Sequence, residues 1–250
     1  MLVLITGATA GIGKSCAEVF AGQGHQLILC GRRKERLDSL KHELEKKHKV
    51  AVHTLSFDIQ KQKEVEAAIH SLPAELKKID VLINNAGLAA GLSSIQDGKL
   101  EHWEQMIDTN IKGLLYTTKQ VANLMIPNKK GHIINLGSIA GKEVYANGNV
   151  YCATKHAVDA LNKAMRIDLL PHQIKVTAIH PGMVETEFSV VRFDGDEERA
   201  KKVYQGMQPL KPEDIAETIY WAATRPAHVN INELTIMPSV QATATQVIRH

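Results

Sequence analysis

Short apolar runs recur along the chain, separated by longer segments of mixed polarity. Leu2–Ile5, Gln26–Cys30, Val50–Phe57, Ile79–Asn84, His132–Leu136, Lys175–Ile179 and Leu234–Met237 read as strands. Between them Gly13–Gly22, Lys34–Lys47, Gln62–Leu76, His102–Met125, Val150–Leu170 and Pro212–Thr224 have helical length and spacing. The strand runs are apolar without alternation, so both of their faces are expected to be buried, as in a parallel sheet between two layers of helices. The alternation predicts an α/β fold: one doubly wound, Rossmann-type parallel sheet of about seven strands with right-handed crossovers.

No change of composition, linker or internal repeat divides the chain, so residues 1–250 are expected to form a single domain. Met183–Leu210 breaks the rhythm as a long, mixed-charge connection from a strand to a helix. Connections of that length often act as lids, and a solvated insertion is the plainer reading.

Composition narrows the class further. Hydrophobic residues make up 44% and charged residues 23%, which fits a folded globular protein and excludes disordered and collagen-like chains. A net charge of +3, scattered apart from Arg32-Arg33-Lys34 and Lys46-Lys47, is too weak to argue for nucleic acid. Cys16, Cys30 and Cys152 have neither disulfide-framework nor Cys-x-x-Cys spacing, so a reducing, cytoplasmic setting is expected. The 12 histidines form no zinc-binding pattern; no metal is expected, and these residues are read as surface and helix-cap positions.

Candidate chemistry begins where the first strand ends. Thr6-Gly7-Ala8-Thr9-Ala10-Gly11-Ile12-Gly13 leads from a strand into a helix. Glycines there let the backbone turn tightly and approach a pyrophosphate, held by free N–H groups at the positive helix end. The spacing departs from the G-x-G-x-x-G fingerprint, but its place after strand one keeps the dinucleotide reading. At the end of the second strand an acidic side chain would accept a ribose 2′-hydroxyl. Arg32 and Arg33 stand there instead and favour a 2′-phosphate, hence NADP over NAD.

Tyr151 and Lys155 stand four apart in a helical segment and therefore share a face. A tyrosine at its free pKa of about 10 is a poor proton-transfer group at neutral pH. A nearby ammonium is expected to pull that value down. Ser138 follows a strand at the carboxyl edge of the sheet, where α/β folds bind ligands, and can hold a substrate oxygen. Asn110 is a polar residue in an otherwise apolar helical stretch. Taken singly, each of these has a structural explanation.

Together these residues resemble the short-chain dehydrogenase/reductase family over essentially the whole chain. The likeness is carried by Thr6-Gly7 through Gly11-Ile12-Gly13, Asn84-Asn85-Ala86-Gly87, Asn110, Ser138, Tyr151-x-x-x-Lys155, and Pro181-Gly182 with Thr186. The resemblance implies that Tyr151 is the general acid/base, that Lys155 lowers its pKa and holds the ribose hydroxyls, that Ser138 orients the reacting oxygen, and that Asn110 anchors a water relay to Lys155. It further implies that Gly7, Thr9, Gly11, Ile12 and Gly13 hold the phosphates, Asn85, Ala86 and Gly87 lie beside the adenosine ribose, Asp58 and Ile59 meet the adenine, and Pro181, Gly182, Val184 and Thr186 position the nicotinamide. The cofactor performs the hydride chemistry.

Within the family the chain looks similar to NADP-dependent enzymes that oxidise small 3-hydroxy acids, of the serine, allo-threonine and 3-hydroxypropionate type. Phe188-Ser189-Val190-Val191-Arg192-Phe193, Gly195-Asp196 and Pro226-Ala227-His228-Val229-Asn230-Ile231-Asn232 carry that likeness. A carboxylate substrate needs a cation, for which Arg192 in the expected lid is the candidate. A reductase of 3-oxoacyl chains or other ketones, and a non-catalytic NADP-sensing protein on the same fold, are the alternatives. The resemblance also implies a homotetramer. The tail after Met237 packs on a neighbour or frays, and spacing does not separate the two.

Overall fold

The first strand, β1 (Leu2–Thr6), sends Leu2 and Leu4 to one face and Val3 and Ile5 to the other, and each set enters a different core. This division extends across the computed structural model, which describes residues 1–250. β2 (Gln26–Gly31), β3 (Val52–Ser56), β4 (Val81–Asn84), β5 (Gly131–Leu136), β6 (Ile174–Pro181) and β7 (Glu233–Ile236) join β1 in one parallel sheet ordered β3-β2-β1-β4-β5-β6-β7.

Three helices cover each face. Cys16 and Phe20 of α1 (Gly11–Gly22), Leu37 and Leu40 of α2 (Lys34–His48), and Ile215 and Ile219 from the helix Pro212–Ala223 close the core beneath Val3 and Ile5. On the opposite face Val65 and Ile69 of α3 (Gln62–His70) pack with Val121 and Met125 from Leu114–Met125, and with Val158 and Met165 from Asn149–Leu169. Burial on both faces holds for the interior strands. The edge strands β3 and β7 carry half-buried or exposed positions such as His53 and Thr235, because they lie at the margins of the helix layers.

Two expected helices are interrupted. α3 ends at His70, and Pro73 opens a separate turn at Ala74–Leu76, since proline disfavours helical backbone in the residue before it. The segment expected at His102–Met125 is α4 (Leu100–Ile107), a wide π turn at Asp108–Gly113, and α5 (Leu114–Met125). Next comes α6 (Asn149–Leu169). The connection from Met183 to Leu210 contains α7 (Phe188–Arg192) and α8 (Glu197–Lys202), and α9 (Pro212–Ala223) follows it. No helix is long and apolar enough to cross a membrane.

His132 and His180 depart from the surface placement expected of the histidines: both are buried in the sheet. His132 bonds Thr177 Oγ1 at 2.7 Å on the adjacent strand, and burial lowers its pKa to about 3. β2 and β4 flank β1 on opposite sides, so strand order reverses there, and the carboxyl ends of β1, β4, β5 and β6 border one cleft of about 560 Å³.

Candidate active site

The floor of the cleft is the loop after β1. Gly7 and Gly11 have φ of +66° and +51°, a region that favours glycine, and a Cβ on Gly13 would lie 2.3 Å from Gly7 O. α1 begins with no side-chain cap and no acidic residue in its first turn, so its terminal N–H groups are left for an anion. Asn85 fastens this loop to the end of β4: its Nδ2 donates to Thr6 O at 2.9 Å and Gly7 O at 3.1 Å. Thr6 Oγ1 accepts from Asn85 N and Ala86 N, both at 3.0 Å. The glycine cradle, its uncapped helix and the open cleft above it fit a dinucleotide pyrophosphate.

Arg32 and Arg33 lie at one end of the cleft. Arg33 folds back over the glycine loop, donating from Nη2 and Nε to Thr9 Oγ1 at 2.7 and 3.1 Å. Its Nη1 reaches Glu187, just ahead of α7, at 3.3 Å. Asp58 and Ile59 line the same end, with Asp58 Oδ1 accepting from Gln60 N. Ile12, Gly87, Pro181, Gly182, Val184 and Thr186 also line the cleft. Gly13 lies behind that surface, packed against Gly7 and Asn85.

At the other end α6 presents Tyr151 and, one turn on, Lys155. Ser138, at the end of the chain segment leaving β5, faces the Tyr151 phenol and accepts from Ala140 N at 3.1 Å. Lys155 Nζ donates to Leu136 O at 2.8 Å and lies 6.0 Å from the centroid of the Tyr151 ring. Asn110 projects inward from the π turn; its Nδ2 donates to Leu88 O at 2.8 Å and Thr154 Oγ1 at 3.0 Å, while its Oδ1 accepts from Leu88 N at 2.9 Å. A Cβ on Gly87 would lie 3.2 Å from Asn110 Oδ1 and 3.6 Å from Lys155 Nζ, so this glycine separates amide from ammonium.

The ionisation of this group corrects one expectation. Burial pushes the Tyr151 phenol up, with a further push from Tyr145, and this outweighs the opposing pull of the Ser138 hydroxyl and the Arg192 charge. Lys155 adds no counteracting pull, because desolvation disfavours its own charge and lowers its pKa to about 8. The protein therefore holds Tyr151 as a neutral acid beside a lysine whose pKa burial lowers to about 8.

Arg192 enters the site from α7. Its guanidinium lies 5.6 Å from the ring centroids of both Tyr145 and Tyr151, and Nη2 donates to Tyr145 Oη at 3.1 Å. Nε is committed to Gly91 O, so Nη1 is the nitrogen left for a ligand. Sequence reasoning did not find Tyr145, Glu187 or Gln241, all of which line the cleft. Gln241, from the tail, accepts from Met183 N at 2.9 Å, which ties that tail to its own chain at the cleft wall. Arg36, which reaches Glu187, was also missed; its signal was a third arginine one helical turn beyond Arg33.

Outside the cleft, Asp159, His180 and Glu233 come within 4.8 Å of one another, a grouping that their sequence separation conceals. Lys142 Nζ lies 2.8 Å from each of the two carboxylates, and Lys163 Nζ lies 2.7 Å from Asp159, so the cluster already has its cations.

Residues 1–197 match the family described as short chain dehydrogenase. The chain is 49% identical over 245 residues to the NADP-dependent 3-hydroxy acid dehydrogenase YdfG of Salmonella typhi, covering 98% of this chain and 97% of that protein. It is 45% identical over 242 residues to sulfoacetaldehyde reductase 2 of Chromohalobacter salexigens, covering 96% and 95% respectively. Among solved structures, the closed form of a serine dehydrogenase complexed with NADP+ superposes with a TM-score of 0.93 at 47% identity, covering all of both chains.

Proposed function

The chain belongs to the short chain dehydrogenase family, and we propose that it is an NADP-dependent oxidoreductase transferring hydride between NADP(H) and the hydroxyl or carbonyl carbon of a small 3-hydroxy acid, of the serine, allo-threonine or 3-hydroxypropionate type. The observation that carries the substrate class is the Arg192 guanidinium 5.6 Å from the Tyr151 ring centroid. A guanidinium so near the proton-transfer group supports the reading of Arg192 as a carboxylate anchor, and the relatives' names, a 3-hydroxy acid dehydrogenase and a serine dehydrogenase, point to the same class of acid.

When bound, NADP(H) supplies or accepts the hydride. Gly7, Thr9, Gly11 and Ile12 line its phosphate cradle, Gly13 gives that cradle its shape, and Arg32 and Arg33 hold the 2′-phosphate. Asp58 and Ile59 bound the adenine end; Asn85 fixes the floor, Ala86 and Gly87 follow it, and Pro181, Gly182, Val184 and Thr186 wall the nicotinamide end. Ser138 orients the substrate oxygen by its hydroxyl. In reduction Tyr151 gives its phenolic proton to the developing alkoxide. In oxidation Tyr151, in its phenolate form, takes the proton from the alcohol. Lys155 also reaches the ribose hydroxyls, and Asn110 anchors the water path by which its proton is replaced. Arg192 fixes the substrate carboxylate so that the carbinol carbon faces the hydride carrier.

A sulfonate offers Arg192 the same charge and oxygen acceptors on a tetrahedral group, and the likeness to sulfoacetaldehyde reductase 2 makes a small sulfonate the second reading. Carrier-bound 3-oxoacyl chains lack such an anion beside the reacting carbon, and a purely sensing protein has no use for the proton-transfer group. The assembly is read as a homotetramer in the cytoplasm; Ile107, Leu115 and Ile167 lie exposed on α4, α5 and α6, the helices that associate in the family. All 250 residues serve one catalytic unit, with residues 183–210 as its lid.

The test is a panel of NADP+-coupled rates with L-serine, D- and L-allo-threonine, 3-hydroxypropionate, 2-hydroxyethanesulfonate and neutral secondary alcohols. Turnover of the 3-hydroxy acids is expected. Activity confined to neutral alcohols overturns the substrate class.

A further inference from the structure

One carboxylate on the lid clamps two arginines of the opposite wall. Glu187 Oε2 accepts from Arg33 Nη1 at 3.3 Å, and both of its oxygens accept from Arg36 Nη1 at 3.1 Å. Arg33 belongs to the turn after β2 and Arg36 to the first turn of α2, whereas Glu187 precedes α7; the pairing thus joins segments about 150 residues apart across the mouth of the cleft. The two guanidinium groups hold the Glu187 carboxyl below its ordinary range despite the opposing effect of burial, so it carries its charge at neutral pH.

We propose that Glu187 is an internal counter-ion which stands in for the 2′-phosphate on Arg33 and exchanges with it, making Glu187 and Arg36 determinants of how tightly the phosphorylated cofactor is held. The proposal rests on the reading of Arg33 as a phosphate ligand. Arg32, Arg33 and Arg36 outnumber the two carboxylates beside them, Glu187 and Asp58, so this end of the cleft keeps a positive excess. A phosphate monoester, near −2 at neutral pH, is drawn to that excess, whereas a bare 2′-hydroxyl is not. Exposure makes the exchange easy: the paired side chains are 44–53% accessible, where ion pairs are weak. Phosphate oxygens are the stronger acceptors for a guanidinium fork and take Arg33 from the carboxylate. Glu187 keeps its two contacts to Arg36, so the lid remains fastened to α2 while Arg33 changes partner. The same carboxylate, close to the incoming phosphate, repels it and shortens its stay.

The experiment measures dissociation constants by calorimetry without substrate, at one ionic strength, for NADP+, NAD+, 2′-adenosine monophosphate and 5′-adenosine monophosphate. Glu187→Gln removes the charge at an exposed position while keeping the side chain's size. It is expected to tighten NADP+ and the 2′-monophosphate about fivefold, the factor one exposed charge pair carries, and to leave the two ligands without a 2′-phosphate within about twofold. Equal changes for all four ligands, no change, or weaker binding of the 2′-phosphorylated pair overturns the exchange. Arg33→Ala tests the underlying reading separately. If it fails to weaken the 2′-monophosphate, the phosphate assignment falls; if it weakens that ligand while Glu187→Gln does nothing, only the exchange falls.

Discussion

Gly91 and Arg192 hold each other by two hydrogen bonds of opposite sense: Gly91 N donates to Arg192 O at 2.9 Å, and Arg192 Nε donates to Gly91 O at 3.2 Å. Gly91 sits at φ +66°, where a Cβ would come within 2.7 Å of His102 Nδ1, so this mutual grip requires glycine. A long, flexible side chain on a short lid helix is thereby fixed before substrate arrives, and little entropy remains to be lost on binding.

Arg192→Ala is therefore expected to raise KM for 3-hydroxy acids about 10- to 100-fold, the range of a lost charge-assisted contact. KM for neutral alcohols should change less than about threefold, and initial rates on both substrate classes provide the check. Equal losses would show that Arg192 only braces the lid.

Tyr151→Phe removes one hydroxyl from a buried ring packed edge-on against Phe188 and leaves that packing in place. Turnover should fall by about 10²–10⁴, the usual contribution of a positioned acid. The dissociation constant for NADP+ should stay within about twofold. Stopped-flow rates and a cofactor titration on the same preparation separate the two effects, and unchanged turnover removes Tyr151 from the mechanism.

Lys155 gives a stability signature. Its pKa falls from 10.5 to about 8 on folding because burial disfavours the ammonium. Between those values the unfolded chain binds the extra proton, so stability rises with pH from about 8 to 10.5. Below pH 8 the fold carries a penalty of about 3 kcal/mol for the buried charge. Lys155→Met should therefore raise Tm by several degrees at pH 7, with the gain shrinking towards pH 10, while activity is lost. Calorimetric scans at both pH values provide the test, and a lower Tm at pH 7 contradicts it.

His132 works in the acid range. Its folded pKa of about 3, against 6.5 unfolded, means that the unfolded chain takes up the proton first as pH falls through 6.5. Stability contributed by keeping this ring neutral is complete above 6.5 and lost towards 3, with about 2 kcal/mol gone by pH 5. His132→Gln should flatten that part of the urea-midpoint profile between pH 7 and 5. A variant that loses stability as steeply as the parent would assign the acid sensitivity elsewhere.

The strands, the glycine turn and the Tyr151–Lys155 pair were legible because their signals are local: an apolar run, a glycine spacing, one helical turn. The clamp of Glu187 on Arg33 and Arg36 and the contact of Tyr145 with Arg192 were not, since they depend on how the lid folds back over the cleft. Periodicity ran through residues 102–125 as one helix because a single wide turn leaves a helical rhythm nearly intact. His132 and His180 looked like surface residues because composition carries no record of a neighbouring strand, whereas Thr177 gives His132 its partner inside the sheet. Four residues on a helix specify a shared face for Tyr151 and Lys155, but not the burial that raises the phenol's pKa.

The π turn at Asp108–Gly113 sets a limit on improving this protein by simplification. Deleting one residue there would restore an unbroken α-helix, the kind of regularisation that thermostabilising redesign rewards, and would swing Asn110 about 100° around the axis, away from Leu88 and Thr154. Selection for robustness and selection for activity thus pull this segment in opposite directions, and a library screened for heat resistance alone should lose the irregular turn first.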